Sequence, residues 1–573
     1  MNKREVEQSD KKMATLSNSD NKNIYPFDDA GKLSYRYSED QTQRTIADKL
    51  NESISVKDFG AIGDGNADDS PAFQAAIDVI KEKGGGTLII PQGEYWISQA
   101  VFLCDNITII GTGWPTLRKK EGDHGYTVFA VLSRGKRGYG SGAKNINVTG
   151  ITVRGSFSEE IRAGGFALHH ASNVLVYDCR FIEGHIKGHI FDLCACENVT
   201  IKDNVFMGMK ETNNSNMAEC IQLDQSKNGS LSYGDDPGSY DGLMSRCITI
   251  QGNKFLPLTV DGVTYPASNI IGSHTTREGI YYEDIRILDN YIEDPIEARV
   301  WNFRGNIHLQ GVKGAMIRGN HWVATKPLNV RAVAIYGVTV GNDKQADPEV
   351  KAPISEIPPQ GCQDIIIEGN IFEGFNGSAK NESLISILGL QDTPDVTKNV
   401  RITGNIFRDI DGSDAIQIKH ASDISVTGNS VMEKNFRFVG VSGTQRLNIE
   451  GNRADKSKQQ PVWITDTSHI TYTNNELRSF TKPPRFRECS NVNITGNHFL
   501  DSEVASGIAF VLESCSEFNA YGNFANTTHP KSDAAIVFKN IPNRGLVHHN
   551  IFTGYLHAAI GESTDVLVSE NVV

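Results

Sequence analysis

The sequence predicts an all-β protein, a right-handed parallel β-helix (a solenoid) closed at its N-terminal end by a short helix. Three observations carry this. First, one short pattern recurs more than a dozen times along the 573 residues: alternating apolar residues, then Gly-Asn or a near relative, then an apolar or aromatic residue. Examples are Asn198-Val-Thr-Ile-Lys-Asp-Asn-Val-Phe206 and Asp364-Ile-Ile-Ile-Glu-Gly-Asn-Ile-Phe372. Second, its marker Asn falls at Asn405, Asn429, Asn452, Asn475, Asn497, Asn523, Asn550 and Asn571, with gaps of 21 to 27 residues, too long for hairpins. Third, the alternation has period 2 and is rich in Val, Ile and Phe, which favours strands over the helices of ankyrin or tetratricopeptide arrays.

Such a unit cannot bury its apolar face alone, and stacking copies makes one continuous core. Gly-Asn suits a corner because both residues tolerate left-handed backbone angles. The order is mostly Gly-Asn, not the Asn-Gly of tight hairpins. Asn at the same corner of successive coils predicts a stacked hydrogen-bond ladder.

The elements follow in order. Residues 1–48 are polar and are expected to be disordered or an attachment arm, with the β-helix spanning 49–573. Within the segment Ser55 to Ser98, Asp69 or Ser70 is expected to cap a helix with Pro71 at its first position. Phe73, Ala76, Ile77 and Ile80 form its apolar stripe, Gly84-Gly85-Gly86 ends it, and Thr87-Leu-Ile-Ile-Pro91 starts the first full strand. A helix over the first coil covers the open end of the solenoid.

The coils at about 160–325 are irregular: Asn204 to Asn253 is about twice a normal coil, with an insertion at Lys227 to Gly242, and Asn253 to Asn290 has a smaller excess. Long loops on a rigid scaffold carry function. Coils at about 400–573 are regular and read as shaft, still in repeat at Val573, so an oligomer interface, another chain or a further domain is expected to cover that end.

A net charge of −13 argues against nucleic acid as a partner. No run of about 20 apolar residues predicts membrane insertion, and the N-terminus has no apolar secretory region. The nine cysteines are scattered, and Cys194-Ala-Cys196 has the wrong spacing for a zinc knuckle, so they read as reduced core or ladder residues.

The segment Ser55-Val-Lys-Asp-Phe-Gly-Ala-Ile-Gly-Asp-Gly-Asn-Ala-Asp-Asp-Ser-Pro-Ala-Phe-Gln-Ala-Ala-Ile-Asp78 resembles the N-terminal signature of the pectate-lyase-3 group in the pectin-lyase-like superfamily. The lead-in Arg44 to Gly60 resembles that of phage tailspikes and tail appendages. The resemblance implies a β-helix, often trimeric, that binds or degrades a bacterial surface polymer. It also implies a virion tail protein made in the host cytoplasm and attached through its N-terminus. It leaves the bond cleaved open, because one fold hosts many chemistries.

Aligning successive coils locates the candidate site. Gly165-Phe-Ala-Leu-His-His170 lies beneath Gly188-His-Ile-Phe-Asp-Leu-Cys194, which lies beneath Ala218-Glu-Cys-Ile-Gln-Leu-Asp224. Leu168, Leu193 and Leu223 then stack inward, while His169, Asp192, Gln222 and Asp224 point outward on one face, continued by His308 and Gln310. His189 and Glu219 share a corner one coil apart. Parallel coils are about 4.8 Å apart, so Asp192, Glu219 and Asp224 are expected within roughly 5–10 Å, the range of paired carboxylates in glycoside hydrolysis. Crowded carboxylates raise one another's pKa and provide one acid and one base. His274, one coil later, joins as acid, base or orienter.

The expected catalytic set is therefore Glu219, Asp224, Asp192, His189 and His274. The expected substrate contacts are His169, Gln222, Tyr233, Asp235, Asp236, Tyr240, Asp241, His308 and Gln310, with Tyr233 and Tyr240 on an exposed loop. Tyr281, Tyr282, Trp301 and Trp322 are placed between sugar stacking and packing. Asp235-Asp236 is a Pro/Gly turn that could also contact Ca2+ or substrate, and no other metal site is named.

The string Gly188-His189…Asp192-Leu193, Glu219-Cys-Ile-Gln-Leu-Asp224, Tyr240-Asp-Gly242 and Gly272-Ser-His274 resembles β-helix enzymes of phage appendages and Gram-positive surfaces acting on teichoic acid or wall glycan, with Asp192 where Glu is usual and Cys220 in place of a small residue. The polygalacturonase series of the superfamily is missing: no Gly-His-Gly and no Arg-Ile-Lys occur. Of the arginines that could serve a lyase, Arg162, Arg277, Arg299 and Arg304, none is singled out by spacing. The expectation is a depolymerase of a bacterial surface polymer, teichoic acid or wall or capsular polysaccharide, acting by general acid/base hydrolysis. The alternatives are a non-catalytic receptor-binding spike and a polysaccharide lyase.

Overall fold

The computed structural model describes residues 33–573 apart from 121–126, 158–163, 186–188, 211–218, 298–304, 342–354, 376–382, 412–413, 433–435, 458–459, 505–506 and 530–531. Most of the expected N-terminal arm, together with Arg162, Arg299, Trp301 and Arg304, thus lies outside the described residues. The chain forms two compact units, 1–54 and 55–573. In the first, strands Ser34–Tyr35 and Arg44–Thr45 pair antiparallel. Thr45 then caps the helix Ile46–Leu50 in a reciprocal capping box with Asp48.

The second unit is a right-handed parallel β-helix of three long parallel sheets. The first sheet has 16 strands, from Val101–Phe102 through Phe191–Cys194 and Glu219–Asp224 to Tyr555–Gly561. Each strand pairs with its equivalent in the next coil, so Phe191 and Leu193 sit under Ile221 and Leu223, and Val199 under Ile248. The inward residues stack into the core as the alternation predicts. Phe181, Phe206 and Phe255 form a column with ring separations of 4.9 and 4.7 Å, and Trp322, Phe372 and Phe407 form another at 5.0 and 4.9 Å. Trp322 is therefore a core residue and not a sugar platform. So is Tyr282, which is fully buried and donates to the Leu223 carbonyl at 3.2 Å.

The Asn ladder runs unbroken from Asn204 to Asn571. Asn429 Nδ2, for example, donates to Asn452 Oδ1 at 3.0 Å and to the Ile402 carbonyl of the preceding coil at 2.9 Å. The left-handed residue is the one before each Asn, as at Asp203 (φ 54°), Gly404 (φ 64°) and Gly428 (φ 63°), and not the Asn itself. Gly at that place supplies the turn, and Asn supplies hydrogen bonds to coils on both sides.

The helix Ser70–Glu82 buries Phe73, Ala76, Ile77 and Ile80 with Pro71 in its first turn. Its cap differs from expectation. Asp69 makes no side-chain cap, because its carboxylate accepts from the Ile62 amide at 2.6 Å. Asp68 instead accepts from the Ser70 amide and hydroxyl at 3.1 and 2.6 Å. All nine cysteines are free, and eight are buried. The smaller coil excess is an antiparallel hairpin, Leu258–Val260 with Val263–Tyr265. Among the described residues, no helix is long and apolar enough to cross a membrane.

Candidate active site beneath the insertion

The sheet-one strands set the outward column by register: Ala167, Asp192, Gln222, Gly272 and His308 lie side by side, and His169, Cys194 and Asp224 form the next column. Side-chain direction is as expected, but solvation is not. His169, Asp192, Gln222 and Asp224 are all buried. The cause is the insertion after Asp224, which folds back over this face. Its Leu231 and Tyr240 pack on outward-facing Cys194 with Leu132 beside them, forming a small second core outside the coil.

Polar clamps hold the insertion down. The Asp236 carboxylate accepts from the Ser133 and Arg134 amides at 2.7 and 2.9 Å and from His169 Nδ1 at 2.7 Å. His169 Nε2 lies 2.8 Å from Ser226 Oγ. Asp241 accepts from the Gly138 amide at 2.8 Å and from His170 Nε2 at 3.1 Å. Burial acts to raise Asp241, but His170 and the amides outweigh it and hold the carboxyl down at about 2. Burial likewise lowers His169 despite its partner Asp236.

His169, Asp236, Tyr240 and Asp241, expected as substrate contacts, are instead the fastening of the insertion. Tyr240 is fully buried and donates to Asp235 Oδ1 at 2.7 Å. Tyr233 is half-buried, edge-on to Phe102 at 5.3 Å, and Asp235 is exposed. Gln310 is buried in the sheet, where its backbone N–H donates to Ser273 Oγ at 2.7 Å. Arg277 crosses the insertion at Gly242, where a Cβ would stand 1.5 Å from its Nη1.

Asp236→Ala removes the acceptor of two amides and one imidazole at a buried position. Each orphaned buried donor costs about 1–3 kcal/mol. The expected result is faster hydrogen exchange and proteolysis confined to 226–244, with protection of the shaft coils unchanged.

Beneath the insertion the acids and histidines converge. The Ser232 amide of the insertion donates to Asp192 Oδ2 at 2.6 Å, and Asp192 Oδ1 is buried without a hydrogen-bond partner. Gln222 Nε2 donates to Asp224 Oδ2 at 2.8 Å. Glu219, 1% exposed, binds His274 Nε2 through Oε1. It faces His308 Nε2 at 3.8 Å through Oε2. His189 donates from Nδ1 to the Glu219 backbone carbonyl at 3.1 Å, with that nitrogen 3.9 Å from Oε1. His308, expected as a substrate contact, thus joins the acid cluster.

The environments drive the three acids apart. Burial, reinforced by the Asp192 charge, pushes Asp224 up to about 6. Burial also raises Asp192, against the Ser232 hydrogen bond and the charges of His189 and His274. Burial acts to raise Glu219 too, but His274, His308 and His189 outweigh it and hold the carboxyl well below the usual range. A raised carboxyl and a depressed one within one cluster are the two kinds of group that acid–base catalysis uses.

Comparison with known proteins agrees with this architecture. Residues 53–236 match the family described as Rhamnogalacturonase A/epimerase, pectate lyase-like, and residues 414–573 match the right-handed β-helix region. Over these two stretches the chain resembles the pectin-lyase-like superfamily. Among its curated relatives is the plasmin and fibronectin-binding protein A of Streptococcus pneumoniae, 26% identical over 309 residues, 50% of this chain and 41% of the relative. Another is mannuronan C5-epimerase AlgE6 of Azotobacter vinelandii, 41% identical over 113 residues, 18% of this chain and 11% of the relative. The chain spans less than half the length of either. The crystal structure of PfbA, a surface adhesin of Streptococcus pneumoniae, superposes with a TM-score of 0.50 at 19% identity, covering 68% of this chain and 92% of that one. At this identity the likeness concerns the fold, the coil stack, alone.

Proposed function

We propose that this protein is an extracellular depolymerase of a bacterial surface polymer, teichoic acid or a wall or capsular glycan, that hydrolyses its substrate by general acid–base chemistry. The supporting observation is the convergence of Glu219, Asp192 and Asp224 with His189, His274 and His308 on one outer patch of the first sheet, beneath a fastened insertion. Asp224 is the proton donor to the leaving oxygen. Glu219, with His274 on one oxygen, acts on the attacking water. Asp192, held by the Ser232 amide, sets the charge around Asp224. The epimerase and pectate-lyase-like matches support action on a polysaccharide.

The test is incubation with purified wall polymers and mass analysis of the fragments. Hydrolysis adds one water per cut, whereas a lyase leaves an unsaturated, ultraviolet-absorbing end. A donor at about 6 must be protonated to act, so kcat/KM is expected to be flat below that pH and to fall as pH rises through it. Asp224→Asn removes that limb together with most of the activity. Intact polymer from every source refutes the enzyme. A second reading, a surface adhesin that grips without cutting, is favoured by the pneumococcal relative, whose match covers half of this chain.

A further inference from the structure

Three features of the Glu219 cluster go beyond what an acid–base pair needs. Glu219, His274 and His308 each present one ligand atom, all within 4.8 Å of one another. Glu219 Oε2 is buried and has no hydrogen-bond partner. His308 Nδ1 lies 3.0 Å from the Gly305 carbonyl. A carbonyl only accepts, so Nδ1 carries a proton, and in the neutral ring Nε2 is the nitrogen that presents a lone pair toward Glu219 Oε2, 3.8 Å away. A backbone carbonyl fixing an imidazole tautomer in this way is what orients a metal-binding histidine.

The room for this contact is built into the backbone. A Cβ on Gly272 would stand 2.0 Å from His308 Nε2, so only glycine lets His308 reach across one coil to Glu219. With the ring neutral, Nε2 and the buried Oε2 face each other as two possible ligand atoms for one cation.

We propose that Glu219, His274 and His308 bind a divalent transition-metal ion of the Zn2+ or Mn2+ class. Two imidazoles and one carboxylate match these ions. They do not match Ca2+, the ion considered from the sequence, which takes shells of six to eight oxygens. His189, with Nδ1 turned to the Glu219 carbonyl, flanks the site as a positioning residue. Three protein ligands leave a coordination position open, where the ion supplies Lewis acidity toward water or a phosphoryl or glycosyl oxygen. The positive charge also offsets the net −13 of the chain at the place where an anionic polymer would meet it.

This rests on and deepens the depolymerase reading of the same site, with Glu219 acting on the attacking water through the ion it holds and not as a free base, and it is tested without polymer. The full chain is stripped with chelator, titrated with Zn2+, Mn2+ or Ca2+ by calorimetry, and its retained metal measured after dialysis. About one equivalent of Zn2+ or Mn2+ is expected to bind, with Ca2+ failing to compete. His308→Ala and Glu219→Gln are each expected to weaken binding at least about tenfold, as loss of a ligand does, while His321→Ala, half-buried in another sheet, leaves it unchanged. Glu219→Gln conserves volume, so it decides the matter should His308→Ala fail to fold. Absence of stoichiometric binding, or binding indifferent to Glu219→Gln, overturns the proposal. Metal binding without polymer cleavage would sink only the depolymerase, and cleavage without stoichiometric metal binding only the metal.

Discussion

Glu219→Gln is expected to lower polymer cleavage by about 10³-fold while leaving the melting temperature near that of the wild type, the range set by loss of a positioned acid or base. The argument begins with position. Glu219 opens a sheet-one strand, Glu219–Asp224, at a corner where it meets the His189 coil and the His274 coil. Its carboxylate meets three imidazoles from three other coils, His189, His274 and His308. Glutamine keeps the volume and loses the charge. The neutral amide also relieves the burial of an ion, which offsets the loss of the His274 contact, so the coil stack has little reason to weaken. The effect therefore falls on chemistry. Fragment yield, circular dichroism and adsorption to whole cells, measured on the same sample, separate the readings. An enzyme loses fragments and keeps adsorption. An adhesin keeps adsorption and never gave fragments. Undiminished cleavage by a folded Glu219→Gln protein would remove Glu219 from the mechanism.

The coil stack was legible in the sequence because its determinants are local and repeated. Period-2 alternation sets which side chains face in, and the marker Asn sets coil length. That is why Leu168, Leu193 and Leu223 stack as expected. The Gly-Asn pair left one detail open, since a two-residue motif does not say which member takes the left-handed angle.

The site was legible only in part. Alternation gave the outward direction of His169, Asp192, Gln222 and Asp224, but direction is not exposure, and period 2 carries no information on what covers a face. The insertion's own apolar residues were the available signal. Leu231 and Tyr240 in a long polar loop, with a Cys at outward position 194, mark a loop that packs down. His308 was misplaced for a similar reason. Its column passes through Gly272, which has no side chain, so His308 fills the gap and reaches Glu219. Contact across a missing side chain leaves no trace in the residue spacing.

The second large effect is expected from the shaft. Asn452→Ala is expected to cost roughly 4 kcal/mol of stability, from the orphaning of several buried polar groups at about 1–3 kcal/mol each. In the native protein Asn452 Oδ1 accepts from the Asn429 amide and Nδ2 at 2.9 and 3.0 Å. Its Nδ2 donates to the Val426 carbonyl at 2.8 Å and to Asn475 Oδ1 at 2.9 Å. Alanine leaves the Asn429 amide and the Val426 carbonyl without partners in a corner that admits no water, since Asn452 is 2% exposed. Asn571→Ala provides the contrast. Asn571 accepts from Asn550 in the same way, at 3.0 and 2.8 Å, but it is only partly buried, so water replaces what is lost and a much smaller cost is expected. Because each coil is stabilised chiefly by its neighbours, a broken rung at Asn452 should also divide the unfolding transition, with the coils beyond it melting first. Urea denaturation followed by fluorescence and by hydrogen exchange reads both effects. Equal and small losses for the two variants would show that the ladder fills the corner without stabilising it, and that the inward apolar columns alone hold the coils in register.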